Sequence, residues 1–458
     1  MADDRTLMIS ISGIRGVVGP ALNAEVVCRL AAAFGTWAAP GPVVVGRDSR
    51  VSGPMMRYAV IAGLVSTGHD VIDLGIATTP TTEMLVTTHG ASGGIIITAS
   101  HNPEPWNALK LLAPTGLFLS ATEGEAVMAI QRDSRIVHKR WDELGTVTED
   151  AAAAEVHIRG ILGLAWLDRD RIAARKLHAV VDCTNGAGGM IAPDLLRRLG
   201  VQVTELYTEP TGRFSRRPEP TPAHLSDLMA KVREVGADVG FATDPDADRL
   251  GLVAETGEAL SEEYTLALAA DWLLAHAPAP MVVNLSTTSA IDDVCRRHGV
   301  PLHRTAVGEV NVVARMLEVG AVIGGEGNGG VILPALHAGR DAMVGMALIL
   351  QTLANSGRTL SELYAGLPRY YMIKRAQPLA RPVTDSELVD LAQAEFGGPV
   401  DTTDGVKVTL ANGWVHLRRS NTEPIVRAIA ESRDAATAES LADRAVKRFG
   451  ALSAVPGR

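Results

Sequence analysis

Aromatic side chains are scarce here: they make up 4% of 458 residues, in a chain that is 47% hydrophobic. Its cores must therefore be aliphatic and rich in helix-forming alanine. Cysteine is rarer still. Cys28, Cys183 and Cys295 are scattered without CxxC spacing, which argues against a zinc site and a disulfide framework and leaves reduced core thiols. Basic residues are outnumbered, with 43 Lys and Arg against 52 Asp and Glu and a net charge of −9. That balance counts against nucleic acid as a partner, so an anionic ligand would need cations or a metal concentrated locally. No apolar run is long enough to cross a bilayer. Asp3, Asp4 and Arg5 lack the basic-then-apolar pattern of a secretory signal. Together these absences lead us to expect a cytoplasmic enzyme or binding protein without membrane or nucleic-acid partners. No low-complexity segment interrupts it.

What is present is a repeated pattern. A short β-branched run gives way to a polar or Gly-rich turn and then to a helix-like stretch. Val43–Val45, Ile95–Ile97, Ala179–Val181, Val239–Phe241, Met281–Val283 and Ala321–Ile323 all lead into such turns. Strands alternating with helices predict α/β domains with functional groups at the strand carboxyl ends. A chain of this length exceeds one core and predicts three or four domains. Composition shifts near 149–154, 253–262 and 366–374 mark the boundaries, giving 1–152, 153–255, 256–367 and 368–458. The last segment differs from the others. Gly405–Leu410 and Gly413–Arg418 flank the turn Ala411-Asn412, and an amphipathic helix is expected over Asp434–Phe449. It reads as a smaller α+β domain.

The motifs that carry chemistry fall at the turns. Thr98-Ala99-Ser100-His101-Asn102-Pro103 follows the apolar run ending at Ile97. A serine where a buried strand ends is a displayed hydroxyl, suited to carrying a phosphoryl group, and His101 and Lys110 supply a proton shuttle and a cation. Taken alone, such a serine is usually a turn residue bonding its own backbone. Asp244, Asp246 and Asp248 alternate, so in an extended segment they project to one side. Three converging carboxylates call for a hard cation. Against an EF-hand, Arg249 stands where its loop needs glycine and the flanks Val239–Thr243 and Leu250–Ala254 read as strands; a solvated acidic turn is the other alternative, and a magnesium site is the better reading. Gly324-Gly325-Glu326-Gly327-Asn328-Gly329-Gly330 lacks the GK[ST] of a phosphate loop. Its Glu326 and Asn328 suit the neutral hydroxyls of a sugar instead. Arg418, Ser420, Asn421 and Thr422, followed by Arg427, form a donor-rich loop fit for a phosphate. Ser12–Gly16, with Arg15, and Gly46–Arg50 place further arginines at turns, and either alone reads as a surface loop.

In this order, these motifs resemble the α-D-phosphohexomutases: Ile-Arg-Gly near the start, Thr-Ala-Ser-His-Asn-Pro, Asp-x-Asp-x-Asp-Arg, Gly-Glu-x-Asn-Gly and Arg-x-Ser-Asn-Thr-Glu-Pro. The resemblance spans nearly the whole chain. It implies three α/β domains with mixed sheets and a smaller fourth around a central cleft. It implies that Ser100 carries a phosphate and that this phosphate with Asp244, Asp246 and Asp248 binds Mg2+. Arg15, His101, Lys110 and Arg249 become the acid/base and charge-stabilising set, Glu326 and Asn328 the sugar-reading pair, and the loop 418–422 the substrate-phosphate site. The implied reaction interconverts hexose 6-phosphate and hexose 1-phosphate through a hexose 1,6-bisphosphate, in a monomer or homodimer. Gly330 stands where many members have histidine. The asparagine at 328 resembles archaeal-type members and those acting on amino sugars, so glucosamine phosphate is the expected substrate, with glucose and mannose phosphates as the alternative. A metal-dependent phosphatase shares the serine, metal and arginines but lacks a reason for the donor-rich loop, whose enclosure of an intermediate excludes water. A non-catalytic sugar-phosphate sensor would not need the serine, histidine and aspartates together.

Overall fold

The computed structural model describes residues 7–10, 13–379, 381, 383–419 and 425–453. The chain divides into two compact units, Met1–Ala269 with Asn328–Glu362, and Ala270–Gly327 with Leu363–Arg458.

The first unit opens with β1 (Leu7–Ser10), β2 (Gly13–Val17), β3 (Val43–Arg47), β4 (Val71–Ile76), β5 (Gly93–Ile97), β6 (Trp106–Leu112) and β7 (Val147–Glu149). They form one sheet in the order β1-β2-β6-β5-β3-β4-β7. The strands β5, β3, β4 and β7 run parallel, and β6, β2 and β1 continue the sheet antiparallel. The unbroken apolar runs follow from burial on both faces. Val43, Val45, Ile95 and Ile97 pack with Leu30, Phe34 and Val60 on one side. Val44 and Ile96, pointing the other way by the strand's two-residue period, pack with Leu74, Leu85 and Val86. A second sheet is built from β8 (His178–Asp182), β9 (Gln202–Leu206), β10 (Val239–Thr243) and β11 (Leu250–Ala254), in the order β11-β10-β8-β9. Here β8 is parallel to both neighbours, while β10 and β11 are antiparallel around the acidic turn.

In the second unit, β12 (Met281–Asn284) pairs in parallel with β13 (Leu302–Thr305) and β14 (Ile323–Glu326). The chain then returns to the first unit with the antiparallel pair β15 (Gly330–Leu333) and β16 (His337–Arg340). The rest of the second unit holds β17 (Tyr371–Pro378), β18 (Val400–Asp401), β19 (Val406–Leu410), β20 (Gly413–Arg419) and β21 (Ile425–Ser432). These make an antiparallel sheet, β17-β21-β20-β19-β18. Leu388 and Leu441, from the helices Asp385–Phe396 and Ala435–Ser453, pack against its Val406, Val415 and Val426. The first of these helices begins with a capping box between Thr384 and Glu387. Three mixed α/β segments and a smaller α+β segment are thus present.

Four local expectations need correction. Arg15 lies inside β2, paired to Ala108 of β6, and not at a turn. Glu326 is the last residue of β14, not part of a glycine loop. Arg418 and Arg427 sit on β20 and β21 as direct cross-strand partners. The aspartate triplet occupies a turn instead of an extended segment. Among the described residues, no helix is long and apolar enough to cross a membrane.

Candidate active site

Ser100 follows β5 with a backbone φ of 49°, a left-handed conformation costly for a residue with a Cβ. The surroundings hold it there. Its N–H donates to Thr98 Oγ1 at 2.9 Å, and Thr98 in turn donates to Asp48 Oδ2 at 2.6 Å. Asp48 pairs with Arg50 at 3.0 Å, and both side chains are 0% exposed. The Arg50 guanidinium donates to the carbonyls of Ser100 (2.6 Å), Asn102 (2.7 Å), Pro103 (2.7 Å) and Trp106 (3.0 Å). A planar fork with five donors suits that task and an ammonium does not. Asp48, Ser49 and Arg50 are therefore buried and not part of the surface loop expected over Gly46–Arg50. The available signal was an Asp and an Arg just past a triple-valine strand, where two buried charges must find each other.

The acidic turn between β10 and β11 approaches this serine. Ala247 adopts φ 55°, and the turn brings ligand atoms of Asp244, Asp246 and Asp248 within 4.8 Å of one another, all three residues buried. Ser100 Oγ donates to Asp244 Oδ2 at 2.9 Å. Lys110, projecting from β6, and Thr79 donate to Asp246 Oδ2 at 2.8 and 2.7 Å. Arg340 donates to Asp248 Oδ2 at 2.6 Å. Arg249 donates its backbone N–H to Asp244 and its guanidinium to Glu219. His101 Nδ1 lies 3.4 Å from Ser100 Oγ, and Arg15 donates to Asn102 Oδ1 at 3.1 Å.

Electrostatics assigns these groups different charge states. Burial, with Asp248 and Asp246 alongside, raises the Asp244 pKa well above the usual carboxylate range. Burial acts on Asp246 in the same sense, but the Lys110 charge and its hydrogen bond outweigh it and hold Asp246 below that range. Lys110 stays a cation, because Asp246 and Asp248 more than offset its burial. The Arg249 charge, followed by burial and Arg15, pushes His101 down to about 2, so its imidazole is neutral. Asp246 Oδ1 and Asp248 Oδ1 are buried and find no hydrogen-bond partner among the described residues. Two orphaned carboxylate oxygens in an all-oxygen cluster fit a hard divalent cation.

The other expected residues lie elsewhere. Asn328 belongs to the first unit, where its Oδ1 accepts from Gly330 N at 3.2 Å and the next carbonyl, Gly329 O, accepts from Leu250 N at 3.0 Å. Glu326 belongs to the second unit, 5% exposed, with Oε1 accepting from Asn284 Nδ2 at 2.8 Å and Gly308 N at 3.1 Å. Arg418 pairs with Asp404 Oδ2 at 2.8 Å, and the same oxygen accepts from Val307 N at 2.8 Å. Ser420, Asn421 and Thr422 lie outside the described residues. Asn284 and Asp404 were missed from sequence. Asn284 was signalled only as a polar residue ending an apolar strand, and Asp404 carried no signal.

Buried His416 of β20 sits beside Arg418. Its Nε2 donates to Asp404 O at 2.6 Å and its Nδ1 accepts from Ser286 Oγ at 2.9 Å. Burial pushes its pKa down from 6.5 to about 4. The unfolded chain therefore takes up the proton first on acidification, and stability is lost as pH falls from about 6.5 towards 4. On going from pH 7 to pH 5, wild type is expected to lose about 2 kcal/mol more than His416→Gln in the unfolding of this unit. Denaturant titrations at the two pH values check this. Parallel losses in both proteins would count against it.

Comparison with known proteins agrees along the chain. Residues 8–135, 156–257 and 261–371 match the models of phosphoglucomutase/phosphomannomutase α/β/α domains I, II and III, and residues 378–448 match the model of the C-terminal domain. A probable phosphoglucosamine mutase of Methanopyrus kandleri is 38% identical over 439 residues, covering 95% of this chain and 96% of the relative. A phosphoglucomutase/phosphomannomutase of Thermococcus kodakarensis is 38% identical over 445 residues, with coverage of 95% and 96%. A crystal structure of a phosphoglucomutase/phosphomannomutase family protein from Burkholderia thailandensis superposes with a TM-score of 0.83 at 29% identity, covering 98% of this chain and 99% of that one. With all four domain models matched in order and relatives this similar along nearly their whole length, the chain belongs to the phosphoglucomutase/phosphomannomutase family of phosphohexomutases.

Proposed function

We propose that phosphorylated Ser100 passes its phosphoryl group to a hexose phosphate, and that the bisphosphate so formed returns its other phosphoryl group to the serine. In the first transfer the Ser100 Oγ–P bond breaks as a sugar hydroxyl oxygen bonds to phosphorus, and the hydroxyl proton passes by way of a neighbouring base to the departing Oγ; in the second, the other sugar O–P bond breaks as Oγ bonds to phosphorus, and the proton passes from Oγ to the sugar oxygen. Phosphate dianions bound beside Oγ offset the Arg249 and Arg15 charges that push the His101 pKa down, and would so let His101, close to Oγ, take up that proton. The Lys110 ammonium and the Arg15 and Arg249 guanidinium groups stabilise the transferring oxygens. Asp244, Asp246 and Asp248, with the Ser100 phosphate, would hold Mg2+, which supplies further neutralisation of that charge. Hexose 1,6-bisphosphate is both the intermediate and the activator that phosphorylates Ser100. Glu326 and Asn328 read sugar hydroxyls. Arg418, Arg427, Ser420, Asn421 and Thr422 hold the phosphate that is not reacting. The segments 1–152, 153–255, 256–367 and 368–458 carry the serine, metal, sugar and phosphate functions respectively.

The observation that carries this reading is the 2.9 Å approach of Ser100 Oγ to Asp244, in a turn whose carbonyls are taken up by buried Arg50. Such a serine is displayed at fixed geometry against a cluster of charge, as a phosphoryl carrier must be. Asn328, together with archaeal relatives named probable phosphoglucosamine mutases, favours glucosamine 6-phosphate to glucosamine 1-phosphate. The relative named phosphoglucomutase/phosphomannomutase at the same identity supports glucose and mannose phosphates as the second reading. Turnover compared across glucosamine, glucose, mannose and N-acetylglucosamine phosphates decides between them. The expected result is the highest kcat/KM for glucosamine phosphate. A glucose 1-phosphate kcat/KM about tenfold higher, or ~1.4 kcal/mol of transition-state preference, would overturn the amino-sugar assignment and leave the mutase chemistry standing.

A further inference from the structure

A second buried polar cluster stands next to the acidic turn, and the reaction as drawn makes no use of it. At its centre is Asp341, 1% exposed. Its Oδ1 caps the helix Ala342–Ser356 by accepting from Met343 N at 2.8 Å and Val344 N at 3.3 Å. Its Oδ2 accepts from His157 Nε2 at 2.8 Å and lies 3.2 Å from His337 Nε2. Capping requires only the first oxygen. The two imidazoles, from a helix and from β16, load the second and lock the carboxylate's rotation.

The neighbours of Asp341 in sequence reach the acidic turn. Arg340 donates to Asp248 Oδ2 at 2.6 Å, and Ala342 N–H donates to Ala247 O at 3.2 Å. The far side of the cluster touches the same turn by another path. His157 Nδ1 meets Thr81 Oγ1 at 2.9 Å, and His337 Nδ1 lies 3.4 Å from Glu83. Both partners belong to the helix Thr79–Thr88, whose Thr79 binds Asp246 through its side chain at 2.7 Å and its N–H at 2.9 Å. With Asp248 Oδ2 taken by Arg340, Oδ1 is left without a hydrogen bond, with Arg249 Nε 3.7 Å away.

We propose that Asp341, held by His157 and His337, is a positioning residue for the metal-binding turn, acting by fixing Arg340 on Asp248 so that the other carboxylate oxygen is presented to the cation. This rests on the reading of Asp244, Asp246 and Asp248 as the metal ligands. Groups that orient metal ligands from behind typically govern affinity by one to two orders of magnitude.

The test is direct binding of Mn2+ to the metal-stripped full chain, followed by electron paramagnetic resonance, with turnover measured alongside. Asp341→Asn keeps an oxygen for the helix cap but cannot accept from two imidazoles on its amide nitrogen. It is expected to raise the Mn2+ dissociation constant about tenfold while kcat at saturating metal stays within about threefold of wild type. In an Arg340→Met background the same substitution is expected to change the dissociation constant less than twofold, because its route to Asp248 is already cut. A tenfold effect persisting there would show that Asp341 does not act through Arg340, and would overturn the proposed role. So would a folded Asp341→Asn with wild-type affinity. Should Asp341→Asn not fold, His337→Gln and His337→Leu replace it: the donor-retaining glutamine is expected to bind Mn2+ like wild type and leucine about tenfold more weakly, and equal affinities would overturn the proposal. Asp248→Asn separates the two readings. If it too leaves affinity unchanged, the metal assignment itself fails; if it alone weakens binding, only the role of Asp341 fails.

Discussion

Ser100→Ala is expected to lower kcat by at least about 10⁴-fold, the largest effect of any single substitution in this protein. The expectation follows from what remains once Oγ is gone. Lys110 is held as a cation by Asp246 and Asp248, so it is no nucleophile. His101 lies 3.4 Å from Oγ, and the Arg249 and Arg15 charges and burial that push its pKa down leave its imidazole a poor nucleophile in place of the hydroxyl. Direct transfer between sugars would need two bulky anions in one enclosed site. The fold should survive, since the loop is held through backbone carbonyls and Thr98, none of which the substitution removes. Intact-mass measurement should find one phosphate on the wild type after incubation with hexose 1,6-bisphosphate and none on the variant. An alanine variant working within tenfold of wild type, or a phosphate mapped to another residue, would remove Ser100 from the mechanism.

Legibility from sequence followed the physics of burial. The strands at Val43, Ile95, Val180, Val239, Met281 and Ile323 were readable because sheets buried on both faces demand unbroken apolar runs. The triplet and the serine were readable because carboxylates at alternate positions and a hydroxyl after a buried strand are rare unless a site requires them. What convergence actually needed was different. Alternation alone would have spread the three carboxylates along an edge, and a left-handed Ala247 folds them together instead. Arg15 and Glu326 were expected in turns because charged residues beside glycine resemble loop composition, and Arg418 and Arg427 because Ser420, Asn421, Thr422 and Pro424 lie between them. Strand pairing overrode that, since a residue's backbone can join a strand whatever its side chain carries. Arg50 shows the limit most clearly. Its four carbonyl acceptors lie more than 49 residues away in sequence, and no local pattern encodes a partner at that distance.

Asp244→Asn is expected to cost about 10²–10³-fold in kcat with little change in the sugar-phosphate KM, since charge at this turn matters most as the phosphoryl group transfers. Its effect on stability should have the opposite sign in metal-free protein. Burial and the two neighbouring carboxylates raise the Asp244 pKa in the folded chain well above its ordinary value. The folded state then holds a proton that the unfolded state releases, so ionising Asp244 at neutral pH works against folding, increasingly as pH rises through that range. An asparagine carries no such penalty, and metal-free Asp244→Asn should melt at a higher temperature than metal-free wild type. Saturating Mg2+ should reverse the order, because mass action stabilises only the protein that binds it, by RT ln(1 + [Mg2+]/Kd). Differential scanning calorimetry with chelator and with Mg2+ reads both halves. A variant less stable than wild type under both conditions would mean that Asp244 serves mainly as a structural acceptor for Ser100 Oγ and Arg249 N. The crossing of the two melting curves is the signature of a turn whose folding cost is offset by the cation it binds.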